Sequence, residues 1–354
     1  MLSAQENARY TKQIILPEIG VTGQEKLKAA KVLVIGAGGL GCPILQYLAA
    51  AGVGTIGVAD GDTIQISNLQ RQVLYTQDEI GQSKALTAIN KLKALNPHVA
   101  FLLHQTFIDE ENALRILKDY DLIVDGSDNF ATRYLVNDAC VILNKTLVFG
   151  AIYKFEGHIS VFNYRNGPTY RCIFPEQPGA DESPNCADIG VIATLPGIIG
   201  SMQANEAIKI ITGIGEVLSG KLLVIDTLTM HTHTFNFKLN EANKNISHLN
   251  PTEEACETAP VNIDYKRLKE MQQYGLIQLI DVREIEEHQV ENIGGINIPL
   301  SVLSTSTHLL DPSGDIVLYC SSGTRSSHAA KQLIQKGFTR IFNLLGGMND
   351  LTVR

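Results

Sequence analysis

No apolar run in these 354 residues is long enough to cross a bilayer, which excludes a helical membrane span as the organising feature. The first residues, MLSAQENARY, lack the apolar core of a signal peptide, so the expectation is a cytoplasmic protein with no membrane partner. Positive charge is not in excess. The 29 Lys and Arg face 37 Asp and Glu, and the net charge of −8 argues against nucleic acid as the main partner. Cysteine is sparse and scattered, with 6 over the whole length. In a cytosolic chain that spacing suggests reactive thiols or metal ligands before disulfides. There is no internal repeat. What is left, 44% hydrophobic and 19% charged residues, is the composition of an ordinary globular protein, and the length suits two domains better than one.

One stretch organises the rest: Val32-Leu-Val-Ile-Gly36-Ala-Gly38-Gly39-Leu-Gly41. The β-branched run 32–35 reads as a strand buried on both faces, as in a parallel sheet. The G-x-G-x-x-G that follows has a separate physical use for each glycine. Gly36 turns the chain sharply, Gly38 lets backbone approach a phosphate, and Gly41 lets the next helix pack closely. That helix, from Pro43 onward, offers free N–H groups and a positive dipole end to an anion. Asp60 closes a second strand and suits a ribose hydroxyl. So far an NAD-binding Rossmann domain fits equally well. The next residues fit it less well. Ser67-Asn68-Leu69-Gln70-Arg71-Gln72 and Gly81-Gln-Ser-Lys84 put an amide and two cations where a dinucleotide enzyme usually has only a connection.

In chain order, residues 5–30 read as helical, interrupted near Pro17 and Gly20. The polar connection 60–81 is longer than scaffolding requires. A helix at 83–95 stops before Asn96-Pro97. Strands at 99–103 and 122–124 flank a helix at 110–118, and this alternation implies a parallel, doubly wound sheet. Asp125-Gly-Ser-Asp128-Asn129 therefore lies at the carboxyl edge, where such sheets bind ligands. A helix at 131–143 and a strand at 147–150 follow, then 158–164 alternates like an antiparallel strand. Residues 171–188, with Cys172 and Cys186, read as a crossover loop. A helix at 198–212 and a strand at 221–226 complete the first half. Residues 241–262 have linker composition. A second α/β pattern begins near 263, with strands at 276–282 and 315–319 and a helix at 326–336.

The glycine loop, Asp60, the 67–72 and 81–84 segments and 125–129 together resemble the MoeB/ThiF family of adenylyltransferases, which activate small sulfur-carrier proteins. Residues 263–354 resemble a rhodanese domain through Leu279-Ile-Asp-Val-Arg283-Glu284, Asn297-Ile-Pro-Leu300 and Cys320-Ser-Ser-Gly323-Thr-Arg325-Ser326. The resemblance implies an adenylyltransferase domain at 1–240, a linker, and a sulfurtransferase domain at 263–354. The expected fold is α/β: a Rossmann-like, mainly parallel sheet with antiparallel additions, plus a small α/β domain. It also implies ATP and Mg²⁺ as cofactors, a ubiquitin-like carrier ending in Gly-Gly as partner, cysteine desulfurase or thiosulfate as sulfur donor, and a homodimer. Which carrier and pathway, molybdopterin and thiamine among them, stays open.

The chemistry agrees. A C-terminal carboxylate is ionised at neutral pH and needs no base. It must attack the α-phosphorus of ATP, negative charge against negative charge, so cations and oriented N–H donors are required. Arg71 and Lys84 suit the phosphates, Asn68 the triphosphate, Asp60 the ribose and Asp128 a Mg²⁺ ion. Gly39, Ser67, Leu69, Gln70 and Asn129 complete the expected nucleotide site. Where the family has an arginine that reaches the partner subunit's ATP, this chain has Lys12, which keeps the charge and loses the planar fork. The alternative reading of Arg9 is structural.

Cys320 follows an apolar strand and precedes a helix. Its loop can wrap backbone N–H groups around a thiolate or persulfide, with Arg325 expected to help hold the anion. The plain alternative is a buried cysteine at a strand end. Cys186 matches the family's second reactive cysteine, which forms a thioester or disulfide with the carrier. Cys42 and Cys140 fall in helical patterns and read as small core residues. Of two Cys-x-x-Cys pairs that bind zinc in many relatives, each has lost one thiol. The pairs read Thr169-Tyr-Arg-Cys172 and Cys256-Glu-Thr-Ala259, so no structural zinc is expected. The rival readings are an NAD-dependent oxidoreductase, an enzyme using the same ATP site on another carboxylate or a nucleic acid, and a non-catalytic carrier-binding module.

Overall fold

In a computed structural model, which describes residues 1–177, 190–249, 260–275, 277–312 and 314–349, the chain forms two compact units, Met1–Thr252 and Glu253–Arg354. The first opens with α1 (Ala4–Ile14) and α2 (Gly20–Ala29). Ser3 and Glu6 cap α1 reciprocally, each side chain accepting from the other's backbone N–H. Glu6 also pairs with Lys28 at 2.8 Å, and that bond, more than any other, holds its carboxyl down at about 2. The two helices are thereby tied together.

There follow β1 (Lys31–Ile35), α3 (Gly41–Ala51), β2 (Thr55–Ala59), α4 (Lys84–Leu95), β3 (Ala100–His104), α5 (Ala113–Leu117), β4 (Leu122–Asp125), α6 (Phe130–Ile142), β5 (Thr146–Tyr153), β6 (Glu156–Phe162), α7 (Thr194–Thr212), β7 (Lys221–Asp226) and β8 (His231–Asn236). They build one sheet in the order β3-β2-β1-β4-β5-β6-β7-β8. The pairings from β3 through β5 are parallel, and those from β5 to β8 are antiparallel. This is the expected doubly wound sheet with antiparallel additions. Alternate residues of β1 enter opposite cores. Val32 and Val34 join α3, α4 and α7, while Leu33 and Ile35 join α5 and α6. A strand covered on both faces has no room for a polar position, which is why its sequence reads as an unbroken apolar run.

The second unit holds β9 (Val261–Ile263), α8 (Tyr265–Tyr274), β10 (Ile277–Asp281), α9 (Ile285–Val290), β11 (Ile296–Asn297), α10 (Leu300–Leu303), β12 (Asp315–Tyr319), α11 (Thr324–Gln335) and β13 (Ile341–Leu344). Its sheet, β11-β10-β12-β13-β9, is parallel throughout.

Several elements differ from expectation. β8 was not anticipated, because its residues are all exposed and show no apolar alternation. α5 is shorter than 110–118, since Asp109 and Asn112 bond each other's backbone and form a turn first. α7 begins at Thr194, four residues early, because Pro196 sits in its first turn, where the missing N–H costs nothing. β9 starts inside the expected linker and pairs with β13. Cys42 and Cys140 are fully buried on α3 and α6, and burial pushes the Cys42 thiol up to about 12, in keeping with core roles. Among the described residues, no helix is long and apolar enough to cross a membrane.

Candidate active sites

The order of the sheet reverses between β1 and β4, so the loops after these two strands diverge and leave a crevice. Gly36 turns there with φ +85°, a conformation open to glycine, and a Cβ on it would stand 2.9 Å from the Gly126 carbonyl oxygen. A Cβ on Gly41 would stand 1.9 Å from the Gly36 carbonyl oxygen. The third glycine thus brings α3 onto the loop, as its position implied. Neither contact involves a side chain that could swing away. Gly41→Ala is therefore expected to lower the melting temperature by roughly 5 °C or more and to abolish nucleotide binding. Wild-type melting in a thermal scan would show that the loop tolerates a wider approach.

The crevice is lined by Gly36, Gly38, Gly39, Asp60, Asp62, Arg71, Gln72, Lys84, Phe107, Ile108, Ser127, Asp128, Asn129, Arg133 and Lys154. Asp60 anchors the glycine loop: its two carboxylate oxygens accept from the N–H groups of Ala37 and Asp62, both at 2.7 Å. Burial raises its pKa and these bonds oppose the rise. Lys84 is buried at the start of α4, and its Nζ meets Asp62 Oδ2 at 2.8 Å. Tyr75 donates its hydroxyl to the carbonyls of Ala37 and Lys84, fixing the loop to α4. Asp128 is exposed at the carboxyl edge, and Asn129 caps α6 by accepting from Thr132 N–H at 2.8 Å.

The segment 67–70 does not line the crevice. Ile66–Asn68 forms a 3₁₀ turn in which Asn68 Oδ1 accepts from Gln65 N–H and its carbonyl accepts from Arg71 N–H. The Ser67 carbonyl accepts from Arg71 Nη1 at 3.0 Å. Leu69 packs on the core and Gln70 is exposed. Local turn bonding engages Ser67 and Asn68, and the segment thereby aims Arg71. Lys12 lies elsewhere too, on α1, in a second cleft with Arg9, Tyr10 and Tyr47.

Sequence reasoning missed Arg133 as a site residue. It is buried on α6, stacked over Phe130 and Phe149 with centroid distances of 5.2 and 5.8 Å. Arg133 Nε, Ser127 Oγ and Gln72 Oε1 all belong to crevice-lining side chains and are buried without a protein partner. Such groups are costly unless a polar ligand takes them. A nucleotide's phosphates and hydroxyls would satisfy them, and the exposed Asp128 carboxylate is the ordinary oxygen donor for Mg²⁺.

In the second unit, Cys320 follows β12 and is fully buried. Gly323 turns with φ +87° just before α11. Its N–H donates to Cys320 Sγ at 3.2 Å, and the Ser326 hydroxyl donates to the same sulfur at 3.5 Å. Burial alone would raise the thiol's pKa. The bonds from Ser326 and from the amides of Ser322 and Gly323 outweigh it and lower the pKa below the ordinary cysteine value. Arg325, suggested by the sequence as a further holder of the sulfur anion, is engaged by protein groups in this structure. Its guanidinium is turned to Glu287 at 2.6 and 2.7 Å and to Ser321 Oγ at 3.1 Å, because the carboxylate offers a bidentate partner that a thiolate does not.

Cys172 is half-buried and accepts from Thr169 N–H and Asn240 N–H, both at 3.4 Å. Burial acts to raise its pKa, but bonds led by the Thr169 hydroxyl lower it. Among the described residues no cluster of three or more His, Cys, Asp or Glu could hold a metal. Cys186 and Cys256 lie outside the described residues.

A phosphate-type glycine loop with convergent cations, and a separate cysteine cradled by amides, define a nucleotide-dependent transferase joined to a sulfurtransferase. Comparison gives the family. The ThiF family model matches residues 10–248 and the rhodanese-like domain model residues 264–353; the chain belongs to the ThiF family and carries a C-terminal rhodanese-like domain. It is similar to the probable adenylyltransferase/sulfurtransferase MoeZ of Mycobacterium tuberculosis, with 42% identity across 98% of this chain and 93% of that protein. It is also similar to the adenylyltransferase and sulfurtransferase MOCS3 of Drosophila sechellia, with 38% identity across 99% of this chain and 84% of that one. The crystal structure of E. coli MccB with MccA-N7isoASN shares the fold at a TM-score of 0.61 and 23% identity, over 70% of this chain and 75% of that one. The chain is thus an adenylyltransferase with sulfurtransferase activity. Its family uses ATP and implies a sulfur-carrier protein as partner.

Proposed function

We propose that the first unit adenylates the C-terminal glycine of a ubiquitin-like sulfur carrier, and that the second supplies sulfur from a Cys320 persulfide to give a thiocarboxylate. The observation that carries this reading is that Gln72, Ser127 and Arg133, each with a buried polar atom lacking a protein partner, line the same crevice as Arg71 and Lys84. The glycine-loop amides and the α3 dipole bind phosphate oxygens. Asp60 receives the ribose hydroxyls. Arg71, Lys84 and Arg133 offset the charge that gathers as the carrier carboxylate attacks the α-phosphorus and pyrophosphate leaves. Mg²⁺ held at Asp128, when bound, neutralises the phosphates further. The terminal sulfur of the persulfide then attacks the acyl carbon and AMP departs, leaving an acyl disulfide on Cys320. A thiol attacks the Cys320 sulfur, the S–S bond breaks with the thiocarboxylate as leaving group, and a second thiol reduces the mixed disulfide that remains. The sulfur donor of this reading is a cysteine desulfurase or thiosulfate. ATP–pyrophosphate exchange with a panel of candidate carriers tests the assignment, and a chain that exchanges with none of them refutes it.

Two further properties belong to this reading. The enzyme works as a homodimer, with Lys12 on α1 serving the partner's nucleotide; the family likeness and the exposed apolar residues Ile15, Leu16 and Val21 beside that helix support this. Light scattering at micromolar concentration should report twice the chain mass, and a monomer would count heavily against it. The chain holds no structural zinc, because Thr169 and Ala259 stand where thiols are needed. Elemental analysis should find far less than one zinc per chain, and a stoichiometric, tightly held zinc would overturn the idea.

A further inference from the structure

The Cys320 loop, Cys320-Ser-Ser-Gly-Thr-Arg-Ser, carries a single charged side chain, Arg325. A sulfur donor that arrives as an anion would be drawn to it. That guanidinium is already taken by Glu287 in a fork-to-fork pair. Nη1 donates to Oε2 at 2.6 Å and Nη2 to Oε1 at 2.7 Å. Ser321 Oγ closes the set, accepting from Nη2 at 3.1 Å and donating to Oε1 at 3.3 Å. Both charged side chains are 37% exposed, so the pair is open to an incoming donor, and Arg325 interacts electrostatically with Cys320. Hydrogen bonding to Arg325 is the main cause holding the Glu287 carboxyl at about 2. The pair therefore stays neutral as a unit at physiological pH.

The helix that carries Glu287 is anchored independently. His288 Nδ1 meets the buried Asp281 Oδ2 at 2.9 Å, and Arg283 binds Asp281 and the Glu291 carbonyl, the last at 2.7 Å. Glu287 also accepts from Glu284 N–H as the capping-box residue of α9, a task that glutamine performs as well. Its charge is thus separable from its structural use.

Resting on the sulfurtransferase reading above, we infer that Glu287 determines donor specificity at Cys320: by neutralising Arg325 it disfavours small dianionic donors such as thiosulfate and favours thiol persulfides. With thiosulfate, the Cys320 thiolate attacks the outer sulfur, the S–S bond breaks, and sulfite leaves with the electron pair. Three negative charges meet in that step. With a thiol persulfide, R–S–SH, the thiolate attacks the terminal sulfur, R–S⁻ leaves, and the proton stays on the new Cys320 persulfide. One negative charge is then present, and the amide cradle around Sγ suffices for it.

The test uses the full chain, cyanide as acceptor, and thiosulfate or cysteine persulfide as donor. Glu287→Gln should lower the KM for thiosulfate about tenfold, the scale of releasing one guanidinium to a charge-assisted contact. The kcat should move far less, and cysteine persulfide should gain much less than thiosulfate. Adding Arg325→Gln to Glu287→Gln should remove the gain, since the effect acts through that cation. In the wild-type chain, the KM for thiosulfate should depend little on ionic strength, which needs no variant to fold. A thiosulfate KM that is unchanged or raised in Glu287→Gln, an equal gain for both donors, or a wild-type KM that climbs steeply with salt would each overturn the inference. Failure of the underlying reading looks different: no Cys320-dependent thiocyanate from either donor.

Discussion

Replacing Cys320 with alanine is expected to abolish thiocyanate formation and carrier thiocarboxylate formation, while pyrophosphate exchange continues almost unchanged. Sulfur transfer needs a nucleophilic sulfur anion, and this thiol is held ready by Gly323 N–H and the Ser326 hydroxyl. Adenylation uses phosphate-binding groups in the other compact unit, and among the described residues no cysteine lines that crevice. Because Cys320 also packs in the core of its own unit, Cys320→Ser serves as a second variant that keeps the volume and loses the nucleophile. Mass spectrometry of the wild-type chain after donor treatment should find the mass of one added sulfur, absent from both variants. Retained sulfurtransferase activity, or loss of pyrophosphate exchange along with it, would show that the two chemistries are not divided in this way. Cys186→Ala should likewise spare exchange but slow release of sulfurated carrier.

Arg71→Ala and Lys84→Ala should each cut carrier-dependent pyrophosphate exchange by on the order of a hundredfold, the usual scale for losing one preorganised charge-stabilising donor. The two cations are held by different means. Arg71 is aimed by the Ser67 carbonyl, on a turn closed by Asn68. Lys84 is buried and kept in place by Asp62, which is itself half-exposed and so tolerates loss of its partner. Neither truncation opens a cavity in the apolar core, and melting should change little. Arg71→Lys separates charge from geometry: partial recovery of exchange is expected, because the ammonium restores the charge without the fork. Wild-type exchange in both alanine variants would remove these residues from the phosphate site and leave Arg133 as the main cation there.

The run 32–35 and the glycines after it determined the central strand, its loop and the close approach of α3 without help from the rest of the chain. Burial on both faces demands an apolar run, and a backbone oxygen 1.9 Å from a would-be Cβ demands glycine. The alternation of strands and helices determined the doubly wound sheet, and the spacing around Cys320 its amide cradle. β8 was not legible, because an exposed edge strand leaves no hydrophobic period to read and forms by pairing with β7. The use of each polar residue was likewise decided in three dimensions. Asn68 and Arg325, candidate ligands by sequence, bond to protein groups in this structure, whereas Arg133, an ordinary-looking helical arginine, is buried beside the crevice with an unmet donor. A residue's type says which bonds it can make. Only the fold decides which partners reach it first, since a buried polar group must take whatever partner lies within about 3 Å.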